Sequence, residues 1–180
     1  IIWCSSPAPK TIWRRLFQIM VDATRSPTTK IRPPLRAAVI GSGYLGRFHA
    51  QKYAAIADVE LVAVVDRNED RARLVAKELK TAHISDFQEV LPQVDLVSVV
   101  TPTFSHYSIT QTCLAAGVHV LVEKPMTLSL EEADRLVEQA DKVGCVLQVG
   151  HLKRFHPAVM ALSESGLLKT PRFIESLRYA

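Results

Sequence analysis

From Leu35 onward the chain alternates between short unbroken apolar runs and longer stretches in which apolar residues recur every three or four positions. The runs at 35–40, 59–65, 94–100, 118–122 and 145–149 predict strands, with a weaker one at 83–84. Their hydrophobicity is continuous rather than alternating, as a strand buried on both faces of a parallel sheet requires. Between them, Ala72, Val75, Ala76 and Leu79 form one face of a helix. Ala133, Leu136, Val137 and Ala140 form one face of a later helix, which opens with the capping-box pattern Ser129-Leu130-Glu131-Glu132. Gly117 and Gly144 stand where helices should stop. On this pattern Cys113 falls in a helix and Cys145 in a strand.

Repeated strand–helix units with short connections predict an α/β fold, a Rossmann-like doubly wound parallel sheet. The pattern changes again after residue 152. A helix is expected over 157–168 and a strand over 172–179, which reads as only the beginning of a C-terminal α+β domain. Residues 1–34 differ from both. Pro7, Pro9, Pro27, Pro33 and Pro34 interrupt them, and Trp13, Leu16, Phe17, Met20 and Val21 make one helical face opposite Arg14, Arg15 and Gln18. Such a helix serves a membrane surface, targeting or a partner; it equally serves packing on its own domain or belongs to upstream coding sequence. The expected organisation is therefore a basic extension (1–34), a nucleotide-binding domain (35–152) and the start of a further domain (153–180).

Composition narrows the function classes. With 48% apolar and 22% charged residues, the 180-residue chain is ordinary for a globular protein. The net charge of +4 is local to one end. Residues 1–36 hold seven of the 22 basic residues and one of the 18 acidic ones, so the remainder carries two more acids than bases. A body without basic excess argues against nucleic acid as a partner. No run of 18 apolar residues predicts a transmembrane helix. Cys4, Cys113 and Cys145 are far apart and form no CxxC pair or Cys/His cluster. Neither a metal site nor a disulfide framework is expected, and buried thiols fit a cytoplasmic protein.

The first strand runs directly into Gly41-Ser42-Gly43-Tyr44-Leu45-Gly46, which opens a helix. In a GxGxxG turn the first glycine makes the tight turn, the second lets a pyrophosphate approach the backbone, and the third lets the helix pack on the strand. The phosphates rest on the helix N-terminus, where free N–H groups and the helix dipole favour an anion. Tyr44 and Leu45 complete that loop. Asp66 closes the second strand 20 residues past Gly46, where a carboxylate accepts hydrogen bonds from the adenosine ribose hydroxyls and favours NAD. Arg67 beside it is the residue that would meet a 2′-phosphate, which keeps NADP possible.

Three further motifs lie past the carboxyl ends of strands, the edge at which open α/β sheets bind ligands. Thr101-Pro102 with His106 follows the fourth strand, Glu123-Lys124-Pro125 the next, and Gly150-His151-Leu152-Lys153-Arg154-Phe155-His156-Pro157 the last. Together with GxGxxG this order resembles the Gfo/Idh/MocA oxidoreductases over about residues 35–180. The resemblance implies NAD(P)-dependent hydride transfer at a hydroxyl carbon of a sugar, cyclitol or nucleotide sugar. It implies that Lys124 is the catalytic acid or base, that Thr101 and Pro102 shape the loop beside the nicotinamide, and that His106 and Glu123 lie on the cofactor side. Glu123 would orient the loop or pair with a neighbour rather than react. His151 and Arg154 occupy the crossover into the second domain and are candidates to face the substrate, Arg154 by holding an anionic group or else by forming an interdomain salt bridge, and His156 would cap the helix that follows it. The Gly-His-x-x-Arg-Phe-x-Pro stretch is similar to members that oxidise nucleotide-linked amino sugars.

Family members are about twice as long, and their second half adds a large sheet, further catalytic residues and often the dimer contact. The chain is accordingly expected to be a truncated product or fragment, and its complete form a homo-oligomer. Alone it should bind cofactor with little turnover. The competing readings are a nucleotide-binding module without turnover and an NAD(P)-sensing regulatory or scaffold protein.

Overall fold

The computed structural model describes residues 33–165 together with Phe173 and Glu175. The amphipathic segment within 1–34, Cys4 and the strand expected over 172–179 lie outside the described residues. The chain falls into two compact units, one ending at Val149 and the other starting at Gly150.

The first unit is built on a six-stranded parallel sheet. Its strands are β1 (Leu35–Ile40), β2 (Val59–Val65), β3 (Ala82–Ile84), β4 (Leu96–Val99), β5 (His119–Val122) and β6 (Leu147–Val149). The helices between them are α1 (Tyr44–Ala55), α2 (Glu69–Leu79), α3 (His106–Ala115) and α4 (Leu130–Val143). The order in the sheet is β3-β2-β1-β4-β5-β6. The chain steps outward from β1 in one direction, returns, and steps outward from β4 in the other. That reversal opens a crevice at the carboxyl ends of β1 and β4, the place where such sheets take ligands.

The unbroken apolar runs have the physical cause expected of them. Successive side chains on a strand point to opposite faces, and here both faces are covered. Val39 and Val64 pack with Ala50 of α1 and Val75 of α2. Ala38, Ile40, Ala63 and Val65 join the cluster that holds Leu114 of α3 and Leu136 of α4. Burying each such Val, Ile or Leu side chain contributes about 1.5–3 kcal/mol, so both faces of the central strands help hold the crevice rigid. Cys113 of α3 is fully buried, and burial pushes its thiol up to about 12, which leaves it inert as a nucleophile.

Three local features differ from the sequence expectation. β4 and β5 are shorter than their apolar runs: Val94 is buried but closes a 3-10 turn, and Val118 hydrogen-bonds back to Cys113 at the end of α3. Cys145 is not in a strand. Gly144 adopts a left-handed conformation that ends α4, and the Cys145 N–H donates to the Ala140 carbonyl at 3.0 Å, so β6 begins only at Leu147. The capping box is shifted by one residue. Ser129 Oγ accepts the Glu132 N–H, but the Glu132 carboxylate accepts from the Leu128 N–H rather than from Ser129.

The second unit, taken by itself, contains a 3-10 turn at Leu152–Phe155 and the helix α5 (Pro157–Glu164). His156 caps α5 by accepting the Ala158 N–H at Nδ1, 3.3 Å. Among the described residues no helix is long and apolar enough to cross a membrane.

Candidate functional site

The glycine loop joins β1 to α1, and its three glycines meet three different surroundings. Gly41 has φ +99, a conformation L side chains rarely adopt, and a Cβ there would lie 2.5 Å from the Val100 carbonyl oxygen. The loop is thus pressed against the backbone that leads into Thr101. A Cβ on Gly46 would collide with the Gly41 carbonyl, so α1 sits as close to its own loop as a backbone allows. Gly43 is the opposite case. A Cβ there meets nothing within 4 Å and would project into open space.

That open space faces an uncapped helix start. Gly43 is the N-cap of α1, with no side-chain cap and no acidic residue in the first turn. By contrast, α2 is capped by Asn68 with Glu69 and Asp70 behind it, and α4 by Ser129 with Glu131 and Glu132. α3 also lacks a side-chain cap but continues directly from the 3-10 turn at Thr103–Ser105; at α1 the uncapped start meets the open side of Gly43, which leaves its N–H groups to an anion from outside. A cradle that a single Cβ would fill, at an uncapped helix start, suits a pyrophosphate. Tyr44 and Leu45 are exposed on that first turn, and Tyr44 packs edge-to-face on Phe48 with centroids 5.0 Å apart.

Asp66 stands at the end of β2, beside the loop. Its Oδ2 accepts both the Ser42 N–H and the Ser42 hydroxyl at 2.8 Å, and Oδ1 accepts the Asn68 N–H at 2.9 Å. Burial pushes this carboxyl up. The hydrogen bonds from Asn68 and Ser42 and the charge of Arg71 outweigh burial and hold it below the ordinary carboxylate value. Asp66 therefore braces the loop and remains an anionic acceptor. Arg67 is exposed, and the cation beside Asp66 is Arg71 instead, with Nη1 3.7 Å from Oδ2. The helix period explains this: Arg71 lies one turn into α2 and points back over its start.

A carboxyl lowered in the folded state stabilises the fold fully above its unfolded value of about 3.9, and that contribution disappears as pH falls through the folded value. Asp66→Asn is expected to lower stability at pH 7 by on the order of 1–2 kcal/mol, because its three donors lose a charged acceptor. It should also flatten the fall in melting temperature below about pH 4. Thermal unfolding followed from pH 3 to 7 checks both, and an unchanged acid limb would contradict them.

On the other side of the crevice, Thr101-Pro102 follows β4. Thr101 Oγ1 accepts from Ser105 Oγ at 2.8 Å, which folds the loop onto the start of α3. His106 and Glu123 lie beside this loop, with both side chains turned inward. His106 is buried, with Nε2 2.8 Å from the Thr101 carbonyl oxygen and Nδ1 2.9 Å from that of Pro125. It pins the two loops to each other. Glu123 is buried as well, with one oxygen 3.3 Å from His49 Nε2 and the other accepting the Lys124 N–H at 3.2 Å. Lys124 itself is exposed, the Lys124–Pro125 bond is cis, and the Lys124 ammonium makes no ion pair among the described residues.

His49, Ser98 and Tyr53 escaped the sequence reading. Ser98 is the one hydroxyl inside the apolar run of β4, and His49 and Tyr53 lie four residues apart on the face of α1 that meets it. A polar residue within a two-sided buried strand was the available signal. His151 and Arg154 belong to the second unit. Both are exposed there, and the Arg154 N–H donates to the His151 carbonyl at 3.0 Å.

The region now described matches known proteins. Residues 35–151 match the model of an oxidoreductase family with an NAD-binding Rossmann fold. The chain is 47% identical over 146 residues to a UDP-N-acetylglucosamine 3-dehydrogenase of Acidithiobacillus ferrooxidans, covering 81% of this chain and 46% of that protein. The crystal structure of that dehydrogenase superposes with a TM-score of 0.72, over 76% of this chain and 44% of the other. A scyllo-inositol 2-dehydrogenase (NAD(+)) of Bacillus subtilis is 41% identical over 128 residues, 69% of this chain and 37% of its own length. The structure of GenD2 from gentamicin A biosynthesis, solved in complex with NAD, has a TM-score of 0.74 at 32% identity, covering 80% of this chain and 42% of that one. The chain thus spans less than half the length of these relatives.

Proposed function

Since the chain belongs to the Gfo/Idh/MocA oxidoreductase family and carries its NAD-binding Rossmann domain, we propose that it forms the cofactor half of a dehydrogenase acting on a hydroxyl carbon of a sugar. The substrate class we favour is a nucleotide-linked amino sugar, with free sugars and cyclitols next. The observation that carries the reading is the alignment along one sheet edge. Asp66 follows β2, the glycine loop β1, Thr101 β4 and Lys124 β5, and these four parallel strands are neighbours in that order. At about 4.8 Å per strand, Lys124 stands roughly 10 Å across from Gly41. An extended dinucleotide laid along this edge has its adenosine end at Asp66 and its other end near Lys124.

The residue roles follow from that placement. The first turn of α1 and the open side of Gly43 hold the pyrophosphate, with Tyr44 and Leu45 flanking it. Asp66 takes the ribose hydroxyls, and its charge favours NAD over NADP. Arg71 beside it is the cation a 2′-phosphate would meet. Thr101 and Pro102 border the nicotinamide end. NAD, when bound, supplies the hydride donor or acceptor. In the reducing direction the Lys124 ammonium gives its proton to the oxygen of the sugar carbonyl as the hydroxyl forms; in the oxidising direction the same nitrogen takes the hydroxyl proton back. His151 and Arg154 lie in the second unit, and the Arg154 fork suits a phosphate or carboxylate. Free Cys113 and Cys145 fit a cytoplasmic setting.

The test is an assay of the protein in its complete natural form with NAD, UDP-N-acetylglucosamine, inositols and monosaccharides. NADH formation dependent on one of these sugars is expected, with tighter binding of NAD than of NADP. Firm NAD binding without reduction by any of them would overturn the enzyme reading, and NADP binding at least as tight as NAD would overturn the role given to Asp66.

A further inference from the structure

A chain of buried polar groups runs from α1 across β4 to the residue that ends β5, wholly inside the first unit. Tyr53 Oη lies 2.7 Å from Ser98 Oγ, Ser98 Oγ 3.1 Å from His49 Nδ1, and His49 Nε2 3.3 Å from Glu123 Oε1. Glu123 Oε2 accepts the Lys124 N–H. Ser98 is fully buried, Glu123 is 6% exposed, and the His49 side chain is 13% exposed. None of the cofactor contacts proposed above uses this chain.

With Glu123 as a carboxylate and His49 as a neutral imidazole, one set of directions satisfies every link. The Lys124 N–H can only donate, and an ionised carboxylate accepts at both oxygens. His49 therefore donates from Nε2 to Glu123, which leaves Nδ1 as an acceptor for the Ser98 hydroxyl. Ser98 then accepts from Tyr53, whose phenol burial pushes up, so that it keeps its proton. One tautomer of His49 satisfies the whole chain. A buried carboxylate is costly unless hydrogen-bonded, and here His49 holds one oxygen while the other is left to grip the main chain of Lys124.

We propose that His49 is a positioning residue for Lys124: by holding Glu123 it fixes the carboxylate that clamps the Lys124 N–H, and so sets where the lysine side chain leaves the sheet edge. The inference rests on the role given to Lys124 above. Without His49, the Glu123 carboxylate loses the partner of one oxygen and is free to turn away from the Lys124 N–H. The main chain of Lys124 is then held less firmly, and its side chain no longer leaves the sheet edge from one fixed place.

Two substitutions separate this role from simple packing. His49→Asn keeps a polar group facing Ser98 but removes the donor to Glu123. His49→Gln carries an amide N–H to about the place of Nε2. By NMR hydrogen exchange on this chain, His49→Asn should speed exchange of the Lys124 amide about tenfold, while Val39 and Val64 amides in β1 and β2 stay protected. His49→Gln should bring Lys124 exchange back close to the native rate. In the complete protein His49→Asn should lower kcat about tenfold to a hundredfold, with KM for NAD little changed. It should cause no further loss when Lys124 is already alanine. Unchanged exchange and turnover in His49→Asn would overturn the proposal. So would exchange rising evenly across the sheet, equal impairment in His49→Gln, or a full additional loss in the Lys124→Ala background. If His49→Asn does not fold, Glu123→Gln, nearly identical in shape, gives the same two readouts: faster Lys124 exchange with lower kcat supports the proposal, and neither change overturns it. Turnover untouched by Lys124→Ala would instead overturn the reading of Lys124, a separate result.

Discussion

Lys124→Ala is expected to lower kcat of the complete protein by about 10²–10⁴-fold, the usual worth of a positioned acid or base. NAD affinity should change little. The reason is where the residue stands. Its backbone is clamped by the buried Glu123, and His106 ties the following Pro125 to the Thr101 loop. Its side chain is exposed and makes no ion pair among the described residues. A lysine whose main chain is held from two sides and whose ammonium has no partner is not a structural ion pair. Removing the ammonium breaks no internal contact, so the fold and the phosphate cradle on α1 should survive. Steady-state kinetics beside NAD titration distinguish the outcomes. Near-normal turnover would refute the acid–base role; a parallel collapse of NAD affinity would mean that Lys124 binds the cofactor instead.

How much of this was legible in the sequence depends on the range of the interaction. Strands buried on both faces announce themselves as unbroken apolar runs, so β1 and β2 were readable to the residue. The glycine turn was readable because strand, glycines and helix follow one another directly along the chain. Ends of elements were less so. Cys145 looks like a strand residue by hydrophobicity, yet the left-handed Gly144 before it commits its N–H to closing α4. Site roles that depend on residues far apart in sequence were the least legible. His106 and Glu123 sit inside motifs at the ligand edge and so looked like ligand contacts. Their partners are Thr101, Pro125 and His49, 5, 19 and 74 positions away, and only the folded sheet shows that both side chains point inward. The pairing of Asp66 shows the same effect at short range. Adjacency in sequence suggested Arg67, while the helix period brings Arg71 back to Asp66.

The three loop glycines should respond to substitution in two distinct ways, and the contrast tests the placement of the cofactor. Gly46→Ala is expected to destabilise the fold by about 3 kcal/mol, since overpacking costs typically 1–3 kcal/mol and here the obstacle is backbone rather than a movable side chain. For a domain of this size that is a fall of roughly 6–12 °C in melting temperature. To admit the methyl group α1 must lift from the Gly41 carbonyl, and its N-terminus moves with it, so NAD affinity falls too. Gly41→Ala should behave similarly, because φ +99 and the Val100 carbonyl both oppose a side chain. Gly43→Val should separate the two effects. Its φ is −65, which any residue adopts, and nothing lies within 4 Å of the added Cβ. The apo-protein should therefore melt within about 1–2 °C of the native chain, as a surface substitution does. The valine would instead fill the space through which a pyrophosphate reaches the α1 N–H groups, and NAD affinity should drop by at least about a hundredfold, the worth of two charge-assisted hydrogen bonds. Calorimetric melting without cofactor, paired with NAD titration, reads both quantities on the same samples. A Gly43→Val protein that binds NAD as the native chain does would remove the phosphate from this cradle. A Gly46→Ala protein of native melting temperature would mean that α1 can move off β1 at no cost, against the packing on which the whole site is built.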